Sequence, residues 1–357
     1  MKLTTTVLAV VFTAQFAGAQ APEVKTAEQV YKNIQQLKGT PADQLNAAMQ
    51  FISVSLGVEC EACHVADKFE ADDKNNKKTA REMMAMTAAI NKDSFRGQRQ
   101  VTCFTCHRGS THPGAVPPVQ ESDPPEHSAA PPAAGAAPAP TVDDIINKYL
   151  SAVGGADTMK TITSRTMKGT IMAMGSESAI ELYTKAPNKR ISISHSSPTS
   201  DSFTAFDGTI GWMGNTGRAP RQMLPTEAFA ASLDADFYLV ADLKQLFPQL
   251  RRGRPVDVGG TMCEVISGSK PGLPPVMFYF DQKSGLLQRM VRSADTPMGR
   301  MPTQIDYADY REVDGVKTAW RWTLARANGR FTIQLKEVKN NVAIDDAKFA
   351  KPEGEVK

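Results

Sequence analysis

Two patterns of apolar and polar positions divide the chain. In the first part, apolar residues recur at steps of three and four, which places them on one face of a helix. That face consists of Leu45, Met49, Ile52 and Leu56. Further along, apolar and polar residues alternate in short runs, which is typical of β-strands. Those runs include 179–183, 276–280 and 331–335. The pattern therefore predicts a helical N-terminal part and a β-rich C-terminal part.

Residues that start and end helices refine the N-terminal part into a repeated unit. One helix is predicted from Thr40, a good N-cap, to Gly57. A second is predicted from about Lys77 to Gly97, and an earlier helix over 27–37 is expected to pack across the pair. Each long helix leads through a turn into the sequence Val-x-Cys-x-x-Cys-His, so the unit occurs twice.

Turn dipeptides separate the alternating runs of the C-terminal part and predict β-hairpins. They are Asp207-Gly208, Ser284-Gly285, Asp314-Gly315 and Asn328-Gly329. One helix is predicted over 142–153, and helical segments at 225–239 and 241–247 are expected in the concave face of the sheet. The predicted fold class is multidomain: a mostly α-helical module followed by an α+β domain on an antiparallel, open-barrel-like sheet.

Composition marks the boundary between the two parts. The segment 113–140 is rich in Pro and Ala and has little to bury, which is typical of an extended spacer. The predicted division is a signal peptide at 1–19, a helical domain at 20–112, a linker at 113–140 and a β-rich domain at 141–357. The formal net charge is only +3 and the charges are mixed, which gives no case for nucleic-acid binding.

The first residues have the pattern of an export signal. Lys2 precedes a short apolar stretch at 7–12, and small residues follow at 17–19. We expect cleavage near Gln20 and a periplasmic location, with an uncleaved N-terminal anchor as the alternative. No later segment is apolar enough for a membrane span to be expected.

Two copies of Cys-x-x-Cys-His are the strongest chemical signal. They are Cys60, Cys63 and His64, and Cys103, Cys106 and His107. In each copy, two thiols on one tight turn can bond to the two vinyl groups of a haem, and the adjacent histidine then lies under the iron as an axial ligand. The motifs predict two covalently attached haem c groups.

Other chemistries also use Cys-x-x-Cys pairs. A dithiol redox pair is expected near a βαβ pattern, which the sequence around 60 and 103 does not show. The four cysteines could instead form a zinc site or disulfides. Neither requires a histidine directly after each pair, whereas haem attachment does, so haem is the preferred interpretation. Cys263 lies in an apolar, strand-like run and is expected to be an inert buried thiol.

Methionines on the predicted helices are candidates for the second axial ligand of each iron. Met49 is the only methionine of its helix, and Met86 aligns best with it in the repeat. Met83 shares a helix face with Met86 and is the alternative. Methionine on an apolar helix face is commonly core filler, but beside a haem motif we expect Met49 and Met86 to be ligands. The remaining histidines, expected to be solvated or exposed, are His112, His127 and His195.

Two segments carry a family resemblance: Met-Thr-Ala-Ala-Ile-Asn at 86–91 and Val-Thr-Cys-Phe-Thr-Cys-His-Arg-Gly at 101–109. Through them, the stretch from Val30 to Gly109 resembles the cytochrome subunit of photosynthetic reaction centres. The resemblance implies His64 and His107 as proximal ligands and the helix methionines as distal ligands. Photosynthetic members of that family carry four haems, whereas this chain encodes two motifs.

The β-rich part resembles the open β-barrel of periplasmic lipoprotein carriers and related lipid-binding proteins. The resemblance rests on a leading helix, a long meander and a strand pair around 320–322 that is expected to close the sheet. No nucleophile elbow, metal-spaced His/Glu cluster or phosphate loop is present in its sequence. This part is expected to bind an apolar ligand, dock a protein or hold the haem module near an electron donor. Its tryptophans, expected in the core or at the rim, are Trp212, Trp320 and Trp322.

The leading hypothesis is an exported dihaem c-type cytochrome, an electron carrier rather than an enzyme, with periplasmic or membrane-bound redox proteins as partners. His/Met ligation fills both axial positions and raises the potential of a haem relative to bis-histidine ligation. One alternative is a haem enzyme, such as a peroxidase, with one open iron site. Another is a lipid- or partner-binding protein whose haems sense redox state.

Overall fold

The structure is a computed structural model that describes residues 25–114 and 138–351, except 174, 198, 199, 218 and 328. The predicted signal peptide at 1–19, most of the predicted linker at 113–140, and His127 lie outside the described residues. Helices dominate the first described range, and a single large antiparallel sheet dominates the second.

Eight α-helices occur in the described ranges. They are α1 (Ala27–Val30), α2 (Leu45–Leu56), α3 (Asn75–Ser94), α4 (Cys103–His107), α5 (Val142–Ala152), α6 (Ala156–Lys160), α7 (Pro225–Ala235) and α8 (Leu243–Leu246). Short 3-10 helices lie at Ala42–Gln44, Cys60–Ala62 and Asp346–Phe349. None of the helices in 25–114 and 138–351 combines the length and apolarity needed to cross a bilayer.

The two long helices of the repeat are confirmed as α2 and α3. Gly57 ends α2 in the left-handed region with φ of +66°, and a Cβ atom there would collide with the carbonyl of Gly109. The expected helix over 27–37 is wrong, because α1 ends at Val30. Asn33 has φ of +59°, which no α-helix allows, and its side-chain amide donates to the Glu70 carbonyl at 2.6 Å. A contact distant in sequence thus overrides the local helical pattern.

In the described part of the chain, fourteen strands form one antiparallel sheet. They are β1 (Ser164–Ala173), β2 (Ser176–Lys185), β3 (Lys189–Ser197), β4 (Ser200–Phe206), β5 (Gly211–Asn215), β6 (Arg221–Gln222), β7 (Gln249–Arg252), β8 (Val256–Val258), β9 (Thr261–Ser269), β10 (Val276–Asp281), β11 (Leu287–Asp295), β12 (Arg300–Val313), β13 (Val316–Arg326) and β14 (Gly329–Asn340). The spatial order is β6-β5-β4-β3-β2-β1-β14-β13-β12-β11-β10-β9-β7, with β8 also pairing with β9. The predicted antiparallel meander is confirmed.

The central pairing joins β1 to β14, strands that lie far apart in sequence. A β-bulge at Lys168/Gly169 interrupts the register, and a Cβ atom on Gly169 would collide with the Gln334 carbonyl, so the bulge requires glycine. The expectation that the strands around 320–322 close the sheet is wrong. These residues lie inside β13, paired on both sides, and the sheet ends at β6 and β7.

Helices α5, α7 and α8 pack against one face of this sheet. Helix α7 contacts β3, β4, β5 and β11, which are far apart in the strand order, so the sheet curls around it as expected for a concave face. Helix α5 is the helix predicted over 142–153, and the helices predicted at 225–239 and 241–247 form as the shorter α7 and α8. The main core includes Ile145, Leu233, Leu243, Phe247, Phe278, Phe280 and Met290.

The helical part contacts the β-rich part near the β11–β12 turn. Phe51 of α2 is 6% exposed, and its ring lies so close to Gly299 that any side chain at 299 would collide with it. Nearby, the Arg99 guanidinium donates to the Thr296 carbonyl. The helix that carries Met49 therefore rests on the β-rich part.

Replacing Asp236 with Asn tests a pH dependence of the β-rich part. Burial, together with the negative charge of Asp242, raises the pKa of Asp236 from 3.8 to about 7. Between these values only the folded state holds the proton, so the free energy of unfolding falls as pH rises from about 4 to 7, by a few kcal/mol at most. We expect D236N to remove this fall, matching the parent at pH 4 and exceeding its stability at pH 8.

Denaturant unfolding followed by far-UV circular dichroism measures this effect. The exposed Asp157 provides the matched control, because D157N leaves the buried carboxyl in place. Equal pH profiles for the parent and D236N would contradict the assignment of the effect to this carboxyl.

Candidate haem-binding sites

The first motif folds as a tight turn that directs its histidine. Cys60–Ala62 form a 3-10 turn, and the His64 amide donates to the Cys60 carbonyl at 3.0 Å. The His64 side chain places Nδ1 at 3.0 Å from the Phe69 carbonyl oxygen. A carbonyl only accepts, so Nδ1 carries the proton and Nε2 keeps its lone pair for a metal.

The second motif reaches the same arrangement with a regular helical turn. Helix α4 comprises Cys103–His107, and the Thr102 amide donates to Thr105 Oγ1 at 3.0 Å at its start. His107 Nδ1 lies 3.0 Å from the Ser110 carbonyl oxygen, which again leaves Nε2 as the free donor atom. Two motifs of different local structure therefore present their histidines in the same tautomer.

The four motif cysteines are free thiols with unequal exposure. Cys60 and Cys106 are exposed, whereas partial burial raises the pKa of Cys63 and of Cys103. No cluster of three or more His, Cys, Asp or Glu side chains suited to a metal occurs in the described part of the chain, so the two pairs do not converge as a zinc site requires.

The other candidate residues lie largely as expected. Cys263 is fully buried, and burial raises the pKa of its thiol to about 11, consistent with an inert residue. His112 is exposed. His195 is exposed on β3, and its Nδ1 forms a hydrogen bond with Asp201 Oδ1 at 2.8 Å.

The methionines occupy the two helices that precede the motifs. Met49 is half-buried in α2. In α3, Met86 is 46% exposed and Met83 is half-buried. Each helix therefore offers a thioether sulfur ahead of its Cys-x-x-Cys-His sequence.

The apolar side chains of the helical part suit a large flat ligand. The buried apolar residues of 25–114 are Ala27, Ala48 and Phe51. Large apolar residues of the same range that stay exposed are Val30, Tyr31, Phe69, Met86, Phe95 and Phe104. Exposed apolar surface of this kind marks a binding region. Paired thiols, directed histidines and uncovered aromatic side chains fit a covalently held haem at each motif.

Lys77 supports the first motif in a way that helix patterning did not reveal. Its side chain is 10% exposed, and Nζ donates to the carbonyls of Phe69 at 2.8 Å and Ala71 at 2.7 Å. The Phe69 carbonyl is also the one that accepts from His64. A buried cation thus fixes the backbone group that orients the histidine.

A second contact holds the loop after the first motif. Arg81 donates to Asp72 Oδ1 at 2.8 Å and to the Asn33 carbonyl at 3.2 Å. The bond from Arg81, followed by a contact with Asn33, holds the pKa of Asp72 well below its ordinary value. The loop is therefore tied both to α3 and to the turn after α1.

Asn91 plays the corresponding part at the second motif. It is 9% exposed, its Oδ1 accepts from the amides of Gln100 and Val101 at 2.9 Å each, and its Nδ2 donates to the Val101 carbonyl at 2.7 Å. This clamp fixes the chain directly before Cys103. In the sequence, Asn91 is marked only as the last residue of the segment 86–91 that resembles the cytochrome family, and its contacts are seen in the structure alone.

Residues 4–150 match the family model described as photosynthetic reaction centre cytochrome C subunit. A stretch of 91 residues is 34% identical to the photosynthetic reaction center cytochrome c subunit of Thermochromatium tepidum. That match covers 24% of this chain and 22% of the relative, so the chain spans about a fifth of the relative's length. The resemblance of the N-terminal part to this family is confirmed.

Solved structures similar to this chain include a putative outer membrane lipoprotein-sorting protein domain from Vibrio parahaemolyticus. It is 9% identical with a TM-score of 0.40, and the match covers 58% of this chain and 97% of that one. A LolA superfamily protein from Nitrosomonas europaea is 11% identical with a TM-score of 0.41, over 60% of this chain and 99% of that one. These two structures carry names of the lipoprotein-carrier type that the β-rich part is expected to resemble.

Replacing Lys77 with Met tests the support of the first motif. Met keeps most of the apolar stem but removes the ammonium that the Phe69 and Ala71 carbonyls bind. We expect the free energy of unfolding of the helical part to fall by roughly 2 kcal/mol, because bonds to charged donors are lost. Denaturant unfolding followed by helical circular dichroism measures this change.

Lys78 lies next to Lys77 on α3 and is exposed, so K78M changes the same charge without touching the loop. An equal loss of stability in K77M and K78M would show that helix charge, rather than the buried contacts, is responsible.

Proposed function

We propose that the N-terminal part is a dihaem c-type cytochrome that transfers electrons. The observation that carries the proposal is common to both motifs: His64 and His107 each direct Nδ1–H at a backbone carbonyl and leave Nε2 for iron. The match of residues 4–150 to the reaction-centre cytochrome family supports the same assignment.

In this proposal the cysteines attach the two haem c groups. Each thiol adds across one vinyl double bond, its sulfur bonding one carbon and its hydrogen the other, so attachment needs no oxidant. The exposure of Cys60 and Cys106 gives vinyl groups access to at least one thiol of each pair. The sulfur pairs are Cys60 with Cys63 and Cys103 with Cys106.

His64 and His107 then serve as proximal ligands, with Met49 and Met86 as the proposed distal ligands. When bound, haem supplies a one-electron step between ferric and ferrous iron. With these four residues as ligands, both axial positions would be filled by the chain itself, which would exclude substrate from the iron and favour electron transfer over catalysis. Lys77 holds the Phe69 carbonyl that orients His64, and Asn91 holds the backbone directly before Cys103.

The proposed setting is the periplasm, with soluble or membrane-bound redox proteins as partners. The pattern of residues 1–19 supports export, and c-type haem is attached on the exported side of the membrane. The photosynthetic members carry four haems and this chain encodes two motifs, so we propose electron relay without assigning a reaction-centre complex.

The deciding experiment is the optical spectrum and haem content of protein matured in a host that attaches c-type haem. We expect two haems per chain, as two motifs require. We expect H64A to lose one of the two low-spin haem signals and H107A to lose the other. H112A is the control, since His112 is exposed and outside both motifs. Retention of both signals in H64A, or protein without covalent haem, would contradict the proposal.

The distal ligands are tested with leucine, which conserves volume while removing sulfur. We expect M49L and M86L each to weaken the far-red band of methionine–ferric iron ligation and to lower the potential of one haem. Measuring M49L in the H107A background identifies which iron Met49 serves.

M83L discriminates between the two candidates of α3. If M83L rather than M86L changes the spectrum, the half-buried Met83 is the ligand. If neither variant changes it and the resting protein has a high-spin haem, that iron has an open position and the peroxidase alternative replaces the carrier.

A further inference from the structure

The β-rich part contains a partly open cavity that the electron-transfer proposal does not use. The cavity has a volume of about 840 Å³, within the range of sites that hold small organic ligands. It lies between the curled sheet, the end of α7 and the segment 236–240 that follows that helix, and strands from both halves of the sheet line it.

Much of the cavity wall is apolar. Strands β1, β2 and β14 contribute aliphatic and thioether side chains, and β4 and β13 add aromatic rings. These residues include Met167, Ile171, Ile180, Ile333, Phe206 and Trp322. A hydrocarbon chain would be shielded from water against them.

A cluster of guanidinium groups interrupts the apolar wall around Asp234. Arg292 is 7% exposed, and its Nη1 and Nη2 donate to the two carboxylate oxygens of Asp234, the Nη2 bond at 2.7 Å. Arg190 donates to the Asp234 backbone carbonyl at 2.8 Å and lies 5.9 Å from the centre of the Trp322 ring. Arg326, at the end of β13, also lines the cavity. Three arginines therefore lie around the Asp234 carboxylate, and Arg292 already forms an ion pair with it.

The other two arginines lack a carboxylate partner. Within residues 25–114 and 138–351, neither Arg190 nor Arg326 lies within salt-bridge distance of an acidic side chain. Arg190 is half-buried, and Arg326 lines the cavity while remaining exposed to solvent. An anion that enters the cavity would therefore meet two guanidinium groups that have no acidic partner at salt-bridge distance among the described residues.

Arg165 adds positive charge on another part of the wall. Its Nε donates to Asn340 Oδ1 at 2.7 Å, and its guanidinium lies 5.3 Å from the centre of the Phe237 ring. Burial lowers its pKa to about 10, the direction expected for a cation moved out of water. The cavity is therefore an apolar chamber with excess guanidinium.

We propose that this cavity binds an amphiphile with an oxyanion head group, carboxylate or phosphate, whose head pairs with Arg190 and Arg326 and whose hydrocarbon chain lies along the apolar wall. Guanidinium matches both head groups through paired N–H donors, which gives this site its preference for acids over alcohols. The proposal is independent of haem attachment.

Titration calorimetry on the haem-loaded full chain tests the proposal with four probes: dodecanoate, dodecyl phosphate, dodecanol and acetate. All titrations stay below the micelle concentration of each amphiphile. We expect one of the two acids to bind at a single site at least about tenfold more tightly than dodecanol, from bonds to a charged head group. Comparison of dodecanoate with dodecyl phosphate identifies the preferred head group.

The matched variants lie on one strand. Both Arg326 and Arg321 are exposed residues of β13, but R326Q removes a guanidinium that lines the cavity, whereas R321Q removes one that does not. We expect R326Q to weaken binding of the acid about tenfold and R321Q to leave it unchanged. R190Q provides a second test, since Arg190 reaches the cluster from β3.

Several results would overturn the proposal. Equal binding of dodecanol and both acids would show that the arginines do not select the ligand. Acetate binding as tightly as dodecanoate would make the site a small-anion site, and no binding of either acid would leave the cavity without this function. Equal losses in R326Q and R321Q would assign the effect to general surface charge. Because binding is read by heat, a failure here leaves the haem spectrum, and the proposed electron transfer, untouched.

Discussion

The helical part is constrained by how few apolar side chains its residues can bury against one another. Across 25–114 that set is Ala27, Ala48 and Phe51, and Phe51 faces the β-rich part rather than a partner helix. A module of this size rarely folds on so small a core without a covalent or metal support. Buried polar contacts at Lys77 and Asn91 hold the loops, and two covalently bound haems would supply the missing apolar contact area.

The β-rich part, in contrast, buries a large set of apolar side chains. Its sheet curls around α7 and fills one region with large apolar side chains such as Phe247 and Phe278, both almost fully buried. The neighbouring region keeps arginines and open volume where aliphatic packing would be more stable. Departures from good packing in an otherwise consistent fold are expected at functional sites. One region of the sheet thus supplies the stabilising core, and the neighbouring region supplies the proposed binding cavity.

Features set by neighbouring residues were predictable from the sequence, and those set by distant contacts were not. Helix α2 and the hairpin turn at Asp314-Gly315 follow from caps, periodicity and turn chemistry. Helix α1 is shorter than its pattern because Asn33 reaches Glu70, and the pairing of β1 with β14 joins segments that no local pattern links.

The same distinction holds for the candidate sites. The motif residues of each proposed haem site are adjacent in sequence, so the sequence alone is enough to predict them. The supporting role of Lys77 was not predictable from the sequence, because it depends on the contact between its ammonium and the Phe69 carbonyl, which only the structure shows. The cavity cluster draws Arg190, Arg292 and Arg326 from three separate strands, so no spacing rule would assemble it.

The short strands at the two ends of the sheet affect whether separate copies of the protein aggregate. An unpaired outer strand can recruit the strand of another molecule and begin aggregation. Here the outermost strands are short: β6 has two residues, and β7 and β8 have four and three. Proline precedes each of them, at Pro220, Pro248 and Pro255, and arginines occupy β6 and β7. Within the described residues, this wide sheet therefore presents only short strands at its two ends, which protects the protein from edge-to-edge aggregation at high concentration.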